Sequence, residues 1–142
     1  MPKTKYGKHI LSNVAKEIED AKGNKKVAIL SHEGQLNADC SIGYHCISEP
    51  LDMPTPPHSH DCQQLLCFIG GNPLNLADFG AEIELCLGEE QEKHSINSTS
   101  IVSIPEGLKH CPLNFKKVSK PIIFMEITLQ RDYKKVIPEE KG

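Results

Sequence analysis

The sequence predicts an all-β chain, a barrel or sandwich built from many short strands. Two observations carry that reading. Short apolar runs recur along most of the chain: KVAILS, CSIGYHCIS, LLCFI, EIELCLG, STSIVSIP and PIIFMEITL. Proline- and glycine-bearing segments separate them, among them SEPLDMPTPP, GGNP, LGEE, PEG and VSKP, whose residues favour turns. In EIELCLG the alternation is nearly strict, with Ile83, Leu85 and Leu87 on one face. Only the N-terminus reads as a helix. In HILSNVAKEIEDAKG, Ile10, Val14 and Ile18 recur every four residues beside Leu11 and Ala15, and Gly23 supplies a stop. The expected organisation is a helical extension over 1–25, a single β domain over 26–132 and a polar tail over 133–142.

Composition narrows the partners. The 142 residues carry 16 Lys+Arg against 19 Asp+Glu, a formal net charge of -3, so no concentrated basic face for nucleic acid is expected. A single helix is too little for a helix-turn-helix unit. The longest apolar runs are too short to span a bilayer. The six cysteines form no Cys-x-x-Cys pair and follow no apolar leader, so the expectation is a cytoplasmic protein with reduced, mostly buried thiols. The sequon at Asn97 carries no meaning in that compartment.

The histidines are more informative. His58 and His60 follow the proline-rich stretch MPTPP and precede an apolar run. On an extended segment they share a face about 6.6 Å apart, close enough for their imidazoles to converge on one ion. Gln64 has the same parity but lies about 13 Å further along a straight strand, so the chain must bend at Asp61–Gln63 to bring it back. Later, PEGLKHCPLN reads as a Pro-x-Gly turn leading into a strand that begins near His110. If that strand lies beside the first pair in a closed barrel, three imidazoles and an amide meet inside it.

The two segments together resemble the cupin family. HSHDCQQLLCFIG and the following Gly71 are similar to the first cupin motif, with Gln64 where glutamate is common and six residues between it and Gly71. PEGLKHCPLN is similar to the second motif at Pro105, Gly107, His110 and Asn114. Asp52 and Thr99 stand where the family usually has a glycine, and the segment between the motifs is longer than in the smallest cupins. The resemblance covers about residues 40 to 130. It implies a conical barrel of two antiparallel sheets, with one divalent metal ion (Zn, Ni, Fe, Mn or Co) held by His58, His60, Gln64 and His110. It also implies a homodimer, for which PIIFMEITL offers an apolar strand to an intersubunit sheet.

Gln64 changes the expected chemistry. A glutamine ligates through a neutral oxygen, so four neutral donors leave a divalent ion its full charge, which favours an anionic small-molecule ligand. Some cupins with three histidines and a glutamine are sugar-acid or polyketide enzymes that work without oxygen, whereas dioxygenase cupins more often carry glutamate. The expectation is therefore a metal-dependent enzyme of isomerase, lyase or dioxygenase type. The alternative is a non-catalytic binding or sensing module. What separates them is a second titratable group reaching the metal pocket, and Glu126 and His45 are the candidates. Outside the site, His9, His32 and His94 are expected on the surface, and Cys62 and Cys111 as inert thiols. Cys111 should face away from His110 by strand alternation, and Asn114 should fix a turn.

Overall fold

The computed structural model describes residues 4–19, 23, 25–31, 34–53 and 55–130. Ten strands run through them: β1 (Ala15–Glu19), β2 (Lys25–Leu30), β3 (Ser41–Ile47), β4 (Leu51–Met53), β5 (Gln64–Gly70), β6 (Ala81–Leu87), β7 (Glu92–Ile96), β8 (Ser100–Ile104), β9 (His110–Val118) and β10 (Ile122–Thr128). They form a six-stranded sheet, β1-β2-β3-β10-β5-β8, and a four-stranded sheet, β4-β9-β6-β7, with antiparallel pairing throughout. Strands distant in sequence become neighbours, as β10 does between β3 and β5. The result is a jelly-roll sandwich, the double-stranded β-helix layout. It is an open form of the expected barrel, since no named strand of one sheet pairs with a named strand of the other. No helix among the described residues is long and apolar enough to cross a membrane.

The sheets close on a core that both supply. Phe68, Phe115 and Phe124 form its centre, with ring centroids 5.2 to 6.2 Å apart in stacked, tilted and edge-on arrangements. Leu85, Ile104 and Ile122 are fully buried around them. Such aromatic groupings add specific geometry to the large apolar area they bury. The inner face of the larger sheet is ordered in rows across β3, β10 and β5. Ile47, Ile122 and Gly70 make one row, and His45, Phe124 and Phe68 the next. Gly43, Glu126 and Leu66 follow, and then Ser41, Thr128 and Gln64. Apolar residues therefore fill one end of the sandwich and polar residues the other.

The N-terminal helix is not there. Among the described residues the only helical element is a single 3-10 turn at Gly7–His9. Ala15–Glu19 instead pairs with β2, from Ala15 opposite Ile29 to Glu19 opposite Lys25. A spacing of four residues is ambiguous: it is close to one helical turn and equal to two strand repeats. Asn13, at φ +56°, also breaks any helical path just before β1. The hairpin it opens makes part of the supposed extension an edge of the larger sheet. The expected intersubunit role of PIIFMEITL is corrected as well, because β10 is flanked on both sides and has no free edge to offer. The tail over 133–142 and His32 lie outside the described residues.

Gly71, at the end of the first motif, marks a close backbone approach. A Cβ there would collide with the carbonyl oxygen of Pro121, a backbone atom that cannot swing aside. Gly71→Ala is expected to cost about 1–3 kcal/mol of stability through this overpacking. Urea denaturation checks it, with a lowered midpoint at an unchanged slope.

Candidate metal centre

The two histidine motifs are joined by their backbones. His58 and His110 form a reciprocal antiparallel bridge in which the His58 N–H donates to the His110 carbonyl at 3.1 Å and the His110 N–H to the His58 carbonyl at 3.0 Å. The Pro105–Leu108 turn adds a second tie. Leu108 N–H donates to the Pro105 carbonyl at 3.2 Å, and Gly107, at φ +81°, turns its N–H to the His60 carbonyl at 3.0 Å. The Pro-x-Gly element is thus a turn, as its composition predicts, and it clamps the first motif as well as leading into the second. Between His60 and Gln64 the chain bends at Asp61 and Cys62, which returns Gln64 to the start of β5.

These ties bring the imidazoles together inside the sandwich. Ring centroids are 4.4 Å apart for His58 and His110, and 5.2 Å for each pair that includes His60. One ring nitrogen from each of the three lies within 4.8 Å of the others, close enough to hold one metal ion. All three residues are buried to 2 % exposure. His58 Nδ1 lies 2.9 Å from the Pro56 carbonyl and His110 Nδ1 lies 3.1 Å from the Leu108 carbonyl. A carbonyl only accepts, so both Nδ1 atoms carry the proton and both Nε2 atoms keep their lone pairs. Backbone carbonyls commonly orient metal-binding histidines in this way.

Gln64 gives the sharpest test of whether a metal fits. Its Nε2 donates to Thr128 Oγ1 at 3.0 Å, across the β5–β10 register. Its Oε1 is buried and has no hydrogen-bond partner. A buried carbonyl oxygen left unmatched costs about 1–3 kcal/mol. Coordination of a cation removes that cost, so the donor set fits a metal: imidazole nitrogens and one neutral amide oxygen.

A cavity of ≈ 320 Å³ opens onto this end, and His58, Gln64 and His110 line it. Glu126 and His45 line the same cavity. Glu126 sits two residues from Thr128 on the inner face of β10, with Gly43 opposite it on β3 contributing no side chain to crowd the carboxylate. His45 stacks on Phe124, the ring centroids 6.1 Å apart and the planes 22° from parallel. The remaining walls are mostly apolar, with Leu30 and Met53 among them. His60 is buried beside His58 and His110 and is not part of the cavity wall.

Other sequence expectations fare differently. Cys111 lines the cavity alongside His110 instead of facing away. A β-bulge explains it: Leu85 pairs with Leu113 and Leu87 with His110, so β9 carries one more residue than β6 over that stretch, and Cys111 takes φ +83°. Asn114 does not fix a turn; it lies within β9, opposite Asp52 and Glu84. Cys62 is half-buried, and burial followed by the charges of Asp61 and Glu106 raises its thiol above the usual range, which keeps it protonated and a poor metal ligand at neutral pH. All six cysteines are free. His9 and His94 are exposed, and His94 pairs with Glu92 at 2.6 Å. Thr128 is the residue that sequence reading missed. The parity it shares with Glu126 was the available signal.

No family model and no curated relative matches this chain. Solved structures do. The polyketide cyclase RemF from Streptomyces resistomycificus aligns at 13% identity over 81% of this chain and 72% of its own, with a TM-score of 0.50. An uncharacterised conserved protein with a double-stranded β-helix domain from Klebsiella pneumoniae aligns at 11% identity over 99% of both chains, with a TM-score of 0.52. An oxalate decarboxylase aligns at 13% identity over 78% of this chain and 27% of its own, with a TM-score of 0.53. At these identities the likeness concerns the fold. Two antiparallel jelly-roll sheets, the two histidine motifs bridged at one cavity and these structural matches make the chain a small cupin in fold.

Proposed function

We propose that this protein is a metal-dependent enzyme that moves protons on a small anionic organic substrate, an isomerase or lyase in type. The observation that carries the reading is the cavity that His58, Gln64 and His110 share with two titratable side chains, Glu126 and His45. A passive binding pocket has no need of a carboxylate and an imidazole beside its donors. A divalent cation bound there would supply Lewis-acid polarisation of a carbonyl or carboxylate oxygen. His58, His60, His110 and Gln64 are neutral donors, so they leave the charge to be balanced by the ligand, which favours an anionic one. Glu126 is suited to accept a proton from the substrate and His45 to return one. The mostly apolar walls lower the local dielectric, which strengthens both electrostatic roles.

The first expected outcome concerns the metal itself. Untagged protein purified without chelator should carry near-stoichiometric metal by elemental analysis, and His110→Ala should lose it while keeping the fold. Stoichiometric metal retained in that variant would overturn the donor set. Iron in the wild type would move the reading toward a dioxygenase; zinc, nickel or manganese would support the non-oxidative type.

The second concerns proton transfer. Wild-type protein in deuterated buffer should catalyse solvent exchange at the carbon next to the carbonyl of some member of a panel of small oxo-acids, followed by NMR. Glu126→Gln should slow that exchange about 10²–10⁴-fold with metal content unchanged. Full metal with no exchange on any member would favour the non-catalytic binding module.

The third concerns Gln64. Thr128→Val removes the group that receives the Gln64 N–H and should weaken metal affinity about 10–100-fold, as loss of an orienting partner does. Competition with a chromophoric chelator for Co(II) measures it, and Thr128→Ser should restore the affinity.

A further inference from the structure

A second cavity of ≈ 350 Å³ lies beside the first, and the two share His45, Met53 and Thr55 in their walls. His58, Gln64 and His110 line the first alone. The second has mostly apolar walls, with Ile18, Ala28, Ile47 and Leu51 among them, and Lys26 and Asp52 also border it. The strand pattern explains the adjacency. Along β2, Leu30 reaches the first chamber while Ala28 and Lys26, on the same face, reach the second. Along β3, His45 borders both and Ile47 only the second. The β1–β2 hairpin supplies much of this wall, and it lies outside the segment that resembles the cupin motifs.

We propose that the second chamber receives the apolar body of the substrate, whose oxyanion end lies at the donor set. This rests on the metal reading above and adds the substrate class: a hydroxy- or oxo-acid carrying an aromatic or branched aliphatic group, larger than a bare dicarboxylate. Two features of the chamber support that occupant. Ala28 and Ile47 are almost fully buried yet still border open space, and Ala28 is small where a larger residue would close the chamber. Ala28, Ile47 and Leu51 also present apolar surface next to His45, so a ligand body entering there shields the titratable group from water. Lys26 and Asp52 also reach the second chamber, so its walls are mostly rather than wholly apolar, and the grouped nitrogen and oxygen donors of the first give a ligand its orientation.

The test is calorimetric binding to metal-loaded protein, with metal content read separately, using oxalate, salicylate and 1-hydroxy-2-naphthoate as probes of increasing apolar body. The expected result is affinity rising at least tenfold from oxalate to the naphthoate in the wild type. Ala28→Leu should erase that rise and leave oxalate binding unchanged. Ile18→Asp, on the half-buried edge strand, gives an independent variant with the same expected pattern if the buried substitution fails to fold. Equal affinity for all three probes, or a preference for the naphthoate that survives whichever variants fold, would overturn the chamber assignment. Protein that takes up no metal would overturn the metal reading instead. Naphthoate binding that is unchanged after metal removal would overturn the anchoring of its oxyanion end.

Discussion

The site depends on the backbone bridge between His58 and His110. Each residue donates its N–H to the other's carbonyl, so two segments some fifty positions apart in sequence are fixed in register by the residues that carry the imidazoles. The ring positions are then set by main-chain hydrogen bonds as well as by packing. The Gly107 N–H extends this logic to His60, and the carbonyls of Pro56 and Leu108 set the proton positions on two of the rings. Each of these three buried imidazoles places one ring nitrogen within 4.8 Å of the others. That arrangement suits a cradle for a cation, a ligand that the buried Gln64 oxygen can also accommodate.

The row order of the larger sheet places a carboxylate beside this cluster. Successive inward rows run from aliphatic to aromatic to carboxylate to amide, with Ile122, Phe124, Glu126 and Thr128 as the β10 member of each. A single strand at the centre of the sheet therefore contributes core packing, a candidate base and the group that orients Gln64. Because β10 is held on both flanks, the spacing between Glu126 and Thr128 is set by the rise of the strand. That rigidity suits a site in which proton transfer needs stable separations, since groups on sheet interiors are positioned more closely than groups on loops.

Much of this was legible in the sequence, and the exceptions have physical causes. Both histidine motifs were readable because His-x-His and Pro-x-Gly have local geometric meaning, and the bend at Asp61–Cys62 was required by the reach of Gln64 alone. β7 was hidden because an edge strand with four of five residues exposed has no apolar face to alternate. β4 was hidden because its three residues sit inside a proline-rich stretch that reads as a turn. Ser41 and Thr128 were hidden for a different reason. Inward polar residues look like solvent-facing ones until the register places them beside another buried polar group. The orientation of Cys111 depended on a bulge, which changes alternation without leaving a mark in hydrophobic pattern.

The misread N-terminus is the most instructive of these. Ile10, Val14 and Ile18 satisfy helical and strand periodicities alike, and only pairing with β2 settles the matter. A helix lying outside the sandwich would have had no bearing on the cavity. As a strand, β1 takes its place beyond β2 at the edge of the larger sheet, and Ile18 and Ala28 become walls of a cavity that shares His45, Met53 and Thr55 with the one beside the histidine cluster. The fold thus separates two tasks along one face. The strands that resemble the cupin motifs carry the clustered histidines, Gln64, Glu126 and His45, while the hairpin walls the neighbouring cavity. On the proposed reading, substitutions on β1 and β2 would change the size of ligand received without touching the His58–His110 bridge.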